Sequence, residues 1–273
     1  MGEALHAILG PEPAVTLAAA GLQANLAAAA AILFVTAVRL PVRRLYGAEA
    51  AYHLWVIPPA AGLIGAVLFF VNLTAGSAQA PFAPPATVKL ALAVWMAGVV
   101  AMAAVFALAQ RRFHAELRAG RAGPAVVGFI SPRIVMPADD AGYSPEELEL
   151  IRAHERTHVA RKDPRAVAYM AAAQCLCWFN PLVHVAARLL RLDQELACDA
   201  VVMLSRPKAR GLYAGTLLKT QLAATPLPLG CYWPARGRHP LEVRVALLAQ
   251  TKIPGAGGPG RGVVHAPRDA IRP

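Results

Sequence analysis

Three stretches of the chain are apolar almost without interruption, and the few polar side chains in them are scattered rather than aligned on one face. They run from about Ala14 to Val38, Tyr52 to Thr74 and Val88 to Gln110. A helix needs roughly 20 mostly apolar residues to cross a hydrocarbon core, so each stretch is long enough to span. A helix buried in a soluble core would carry a polar stripe, which these lack. Glu3 and Glu12 precede the first stretch and no Lys or Arg does, which predicts a retained span rather than a cleaved signal peptide.

Beyond Gln110 the pattern changes, and residues 111 to 162 mix charged and apolar positions as a soluble segment would. Within 123–137, GFISPRIVMP alternates apolar and polar residues between Gly and Pro, which predicts a short strand or one edge of a hairpin. Pro132 and Pro137 favour an edge position, because proline gives a ladder no N–H. In YSPEELELIRAHERTHVARKDP, Ser144 and Glu147 have capping-box spacing and Pro145 suits a first helical turn, so a helix is predicted from Pro145 to about Lys162. Asp163-Pro164 ends it and can cap the next helix. The apolar stretch 165–192 has the length of a fourth span, but Pro181, after Trp178-Phe179-Asn180, breaks or kinks it. RLDQELACDAVV then reads as an amphipathic helix, and residues 253–273, rich in Gly, Pro and Arg, as a disordered tail.

Composition agrees with a membrane protein: of 273 residues 57% are hydrophobic and 16% charged, with a mean hydropathy of +0.45. The net charge of +11 does not imply nucleic acid binding, because the basic residues sit beside the spans and in the tail. Arg39, Arg43 and Arg44 follow the first span, the loop of about 75–87 is uncharged, and Arg111, Arg112, Arg118 and Arg121 follow the third. With positive charge held on the cytoplasmic side, the N-terminus lies outside and the segment after Arg111 begins in the cytoplasm. Four cysteines, Cys175, Cys177, Cys198 and Cys231, are too few and too irregular for a secreted disulfide framework.

The candidate chemistry is HERTH, residues 154 to 158. Four residues are slightly more than one helical turn, so His154 and His158 share a face and can bind one Zn²⁺. Glu155, beside that face, can take a proton from the attacking water and pass it to the leaving amine, while the metal acidifies that water and polarises the scissile carbonyl. The bland alternative is a surface helix that happens to carry two histidines. A third ligand decides between them, and Glu195 in ELACD is the best candidate, with Asp199 one turn on to accept the ring N–H of a ligand histidine. His154 and Glu195 can share a metal only if 165–192 does not cross the bilayer, so that segment must be a hairpin turning near Asn180-Pro181. His184 reads as a packed or interfacial side chain and Cys175 and Cys177 as core residues. Cys198 could bind a soft metal but is not needed for the set.

With GFISPRIVMP, HERTHVARKDP, WFNPLV and ELACDAVV in this order behind three spans, the chain resembles the BlaR/MecR-type antirepressor metallopeptidases, which are integral membrane gluzincins. The resemblance covers roughly Ala14 to Gln250. It implies a cytoplasm-facing protease domain with zinc on His154, His158 and Glu195, Glu155 as general base and Asp199 as an outer carboxylate. It also implies that a strand at Phe129 to Val135 offers its edge to an extended protein substrate, such as a winged-helix repressor. The best-known members continue into a fourth span and an extracellular penicillin-binding sensor with an SxxK motif. No apolar run of spanning length follows Gln250 here, so the expected input is a separate sensor protein or the spans themselves.

A quality-control protease of the Ste24/HtpX type and a non-catalytic membrane receptor or scaffold are the competing readings. An intramembrane site-2 type is disfavoured by Arg152, Arg156, Arg161 and Lys162 on the metal helix. The expected fold is a mainly α integral membrane protein of the bacterial cytoplasmic membrane. Residues 1–110 form the transmembrane region and 111–252 a helical gluzincin-type zinc protease domain with a small β element, including a membrane-associated hairpin at 165–192. The expected partners are a protein substrate and the lipid bilayer, without direct nucleic acid contact.

Overall fold

The computed structural model describes residues 13–76, 85–120, 124–136, 142–223 and 240–248. The chain is mainly helical. Its elements are α1 (Pro13–Tyr46), α2 (Ala48–His53) running through a 3-10 turn (Leu54–Val56) into α3 (Ile57–Thr74), α4 (Pro85–Arg118), strands β1 (Ala125–Val127) and β2 (Arg133–Val135), α5 (Pro145–Ala160), α6 (Asp163–Leu176), α7 (Pro181–Ser205), a 3-10 turn (Pro207–Ala209), α8 (Arg210–Ala223) and α9 (Pro240–Leu248). Cys231 and the expected tail at 253–273 lie outside the described residues.

Three helical segments, Pro13–Tyr46, Ala48–Thr74 and Ala86–Arg118, are long and apolar enough to cross a membrane. They are longer than the apolar stretches because the helices continue into polar ends, such as Arg43 and Arg44 on α1. Only 6% of the most apolar window of the third segment is buried, so its Leu, Val and Met side chains face outward, as lipid contact requires.

The chain divides into two compact units. One holds most of the spans and the turn between α6 and α7. Its helices approach closely over small residues, and a Cβ on Gly65 of α3 would stand 2.9 Å from the Ala27 Cβ of α1. Helix α6 ends at Leu176 and α7 begins at Pro181, so Pro181 starts a helix rather than kinking one. The Asn180 side chain accepts from the Leu182 N–H at 2.9 Å, as an N-cap does ahead of a proline in the first turn. Its amide donates to Asn25 at 3.0 Å, and the Trp178 indole donates to the Trp95 carbonyl at 3.1 Å. His184 is taken up by Gln174 at 3.1 Å and the Trp178 carbonyl at 3.0 Å, which accounts for it as a packing residue. Cys175 and Cys177 are half-buried rather than core.

The second unit carries the charged chemistry. Leu150, Val202, Met203, Tyr213, Leu217 and Leu248 form its core and bring α5, α7, α8 and α9 together. Helix α5 starts as its sequence demands: Ser144 Oγ accepts from the Glu147 N–H at 3.2 Å, and the Glu147 carboxylate accepts from the Ser144 N–H at 2.8 Å. GFISPRIVMP does not form one strand. Residues 128–132 are the turn of an antiparallel hairpin in which Val126 pairs with Ile134, because Gly128 adopts φ +92° and a Cβ there would stand 2.9 Å from the Ser131 carbonyl oxygen.

Candidate metal centre

Helix α5 presents His154 and His158 on one face, and α7 brings Glu195 to them. The two Nε2 atoms are 3.0 Å apart. Glu195 Oε2 is 3.4 Å from His154 Nε2, and its Oε1 is 3.5 Å from His158 Nε2. Both histidines are buried, and the Glu195 side chain keeps 34% exposure.

The hydrogen bonds behind the rings set their tautomers. The Tyr213 hydroxyl on α8 donates to Asp199 Oδ1 at 2.7 Å, so its oxygen is left to accept from His154 Nδ1 at 2.8 Å. Asp163 Oδ2 accepts from His158 Nδ1 at 2.8 Å. With both protons on Nδ1, two Nε2 lone pairs and a carboxylate converge on one point. That arrangement is repulsive unless a metal ion or a shared proton lies between them. A tetrahedral zinc with bonds of about 2.0–2.1 Å sets its ligand atoms roughly 3.3–3.4 Å apart, so the donor set fits zinc in type and in spacing.

Around these residues lies a charge network. Arg244 of α9 gives Nε and Nη2 to the two Asp199 oxygens, each at 2.8 Å, and Nη1 to Glu195 Oε2 at 2.9 Å. Burial works against charge on Glu195, yet Arg244 and the two histidines hold its carboxyl well below the usual range. Burial and the neighbouring Asp199 push the Tyr213 hydroxyl well above its ordinary value, so it stays a donor. Burial raises the Glu155 carboxyl, with His154 and His158 pulling the other way.

The reversal between α5 and α6 has its own device. Lys162 takes a left-handed conformation, φ +61°, which turns the chain so that Asp163 meets His158. The Asp163 carboxylate, in the first turn of α6, also accepts from the Tyr52 hydroxyl at 2.9 Å. Cys198 stands 3.3 Å from His158 Nδ1 and completes a second cluster with Asp163. That cluster suits a cation poorly. Burial pushes the Cys198 thiol up to about 11, and Arg161 lies 3.7 Å from both Cys198 Sγ and Asp163 Oδ1.

His154, His158, Glu155, Glu195 and Asp199, all singled out by sequence, therefore fall in one neighbourhood, but Asp199 does not meet the ring of His154 as directly as expected. The distance is 3.5 Å, and the shorter path runs through Tyr213. Asp163, Tyr213 and Arg244 escaped sequence reasoning. Only Asp163 had a local signal, lying one helical turn and a reversal after His158.

Three helices long and apolar enough to span and a His–His–Glu cluster that could hold a metal ion define the class: a helical membrane protein with a candidate metal centre. A family model described as BlaR1 peptidase M56 matches residues 19–85 and 119–248, and the chain belongs to that family. The regulatory protein BlaR1 of Bacillus licheniformis is 29% identical over 111 residues, a match that takes in 39% of this chain and 18% of that protein. No solved structure matches the chain.

Proposed function

We propose that this chain is a membrane-bound zinc endopeptidase of the bacterial cytoplasmic membrane that cleaves a regulatory protein, such as a winged-helix transcriptional repressor, on the cytoplasmic side. The observation that carries the reading is the opposition of two histidine lone pairs at 3.0 Å, closed at the third corner by Glu195. Family membership supports peptidase chemistry, and the regulatory role in the relative's name supports a signalling substrate. The arginines following the first and third spans support the orientation.

His154, His158 and Glu195 would hold the metal. Bound there, zinc supplies Lewis acidity toward the scissile carbonyl and toward water. Glu155 accepts a proton from the attacking water at its carboxylate and returns it to the nitrogen of the leaving amine, so one water is consumed for each peptide bond broken. Tyr213 and Asp163 orient the histidine rings from their Nδ1 sides, and Asp199 and Arg244 hold Tyr213 and Glu195 in place. An outer edge of the two-stranded sheet offers backbone groups to an extended substrate.

The test is zinc content by elemental analysis of the detergent-purified chain, beside cleavage of co-encoded repressors. About one zinc per chain is expected for a single site. Glu195→Ala should lose the metal, and Glu155→Ala should keep it while losing cleavage. Full zinc retention in Glu195→Ala, or cleavage that survives chelation, would overturn the reading in favour of a scaffold or another hydrolase.

A further inference from the structure

The surface around the β1–β2 turn takes no part in the metal centre. Phe129 and Ile130 are 56% and 75% exposed, and Tyr169 on α6 is 75% exposed. With Arg165 and Ala168 they line a hollow of about 310 Å³. The turn is a built feature: Gly128 supplies its positive φ, and Arg165 Nε donates to the Phe129 carbonyl at 3.4 Å, tying the tip to α6. Three large apolar side chains presented together are costly to leave in water, at about 25 cal/mol per Å² of apolar surface.

Both supports of the hollow rest on the ends of spanning helices within the same unit. Ala125 and Val127 of β1 pack on Phe113 and Leu117, in the polar end of α4 just past its apolar stretch. Asp163, the first residue of α6, accepts from Tyr52 at the start of the second span. With those helices spanning a bilayer, the hollow would lie near the level where hydrocarbon gives way to headgroups. Its composition suits that level, since aromatic rings and arginine are the side chains favoured at a bilayer interface. Arg133, Lys162 and Arg165 are exposed, and within the described residues 124–136 and 163–176 the one acid, Asp163, is buried. A surface that exposes apolar and basic side chains among its described residues is complementary to anionic phospholipid.

We propose that the β1–β2 turn and the first two turns of α6 form a lipid-binding surface. Phe129, Ile130 and Tyr169 enter the boundary between headgroups and acyl chains, and Arg165 meets a lipid phosphate. The surface would seat the hairpin on the bilayer in which the chain's own spans are embedded. It rests on the span ends and the exposed residues, not on the peptidase reading.

The test uses the full chain in nanodiscs of phosphatidylcholine alone or mixed with phosphatidylglycerol. Photoreactive p-benzoylphenylalanine replaces Phe129, Ile130 or, as a control at the far end of α5, Glu146, and adducts are identified by mass spectrometry. Phospholipid adducts are expected at 129 and 130 but not at 146. Their yield should rise severalfold with phosphatidylglycerol, and Arg165→Gln should remove that rise without loss of folded protein. Absence of lipid adducts at 129 and 130, or adducts to a second copy of the chain instead, would overturn the proposal. Adducts indifferent to phosphatidylglycerol would overturn the role given to Arg165.

Discussion

His154 Nδ1 lies 2.8 Å from the hydroxyl of Tyr213, a residue 59 positions away on another helix. The hydroxyl donates its own hydrogen bond to Asp199, which leaves its oxygen to accept from the ring at Nδ1. Tyr213→Phe keeps the buried ring and removes only this link. Loss of an outer-shell partner typically costs about 10–100-fold in metal affinity. Zinc competition against a chromophoric chelator should show a weakening of that order, with the circular dichroism spectrum unchanged.

Arg244 bridges two carboxylates, Glu195 and Asp199, and its side chain and that of Asp199 are 6% and 5% exposed. Arg244→Ala leaves Asp199 charged and buried, a change that costs about 3–5 kcal/mol in comparable settings. Thermal denaturation in detergent should show a large destabilisation. Arg244→Lys cannot reproduce the two-pronged contact with Asp199 and should recover only part of the loss.

Glu147 joins the start of α5 to α8. Its carboxyl is held below the usual range by the Ser144 N–H, then by Lys219, which donates to it at 2.9 Å. A carboxyl whose folded pKa is depressed contributes stability above its unfolded value of about 4.3, and that contribution fades as pH falls through the folded pKa. Glu147→Gln should therefore be less stable than the wild type at neutral pH. The gap between their melting temperatures should close in acid, and a gap that widened there would contradict this account.

Gly98 sits under Trp178. A Cβ at position 98 would run into the Trp178 ring, which also donates to the Trp95 carbonyl. Gly98→Ala must displace the indole, and overpacking of this kind costs about 1–3 kcal/mol. A lowered melting temperature and altered tryptophan emission are the expected signs, whereas Gly211→Ala, with open space around it, should show neither.

What could be read directly from the sequence is whatever depends on residues near one another in the chain. Long apolar runs mark the spanning helices because the cost of placing backbone and side chains in hydrocarbon is local. The capping box at Ser144 and Glu147 and the four-residue spacing of His154 and His158 are likewise properties of one helix. Tertiary structure decided the rest. The alternating run 128–137 read as a short strand or one edge of a hairpin, and the φ of Gly128 decided that its first half is the turn of that hairpin. Arg43, read as a marker of orientation, also pairs with Asp193, which has no exposed surface. Tyr213 and Arg244 carry no motif, because the sequence spacing between them and the histidines has no period that a helix or strand could impose. They reach the candidate metal centre because the shared apolar core of Leu150, Val202, Met203 and Leu248 draws α5, α7, α8 and α9 together, and buried carboxylates must then find partners from whichever helix lies beside them.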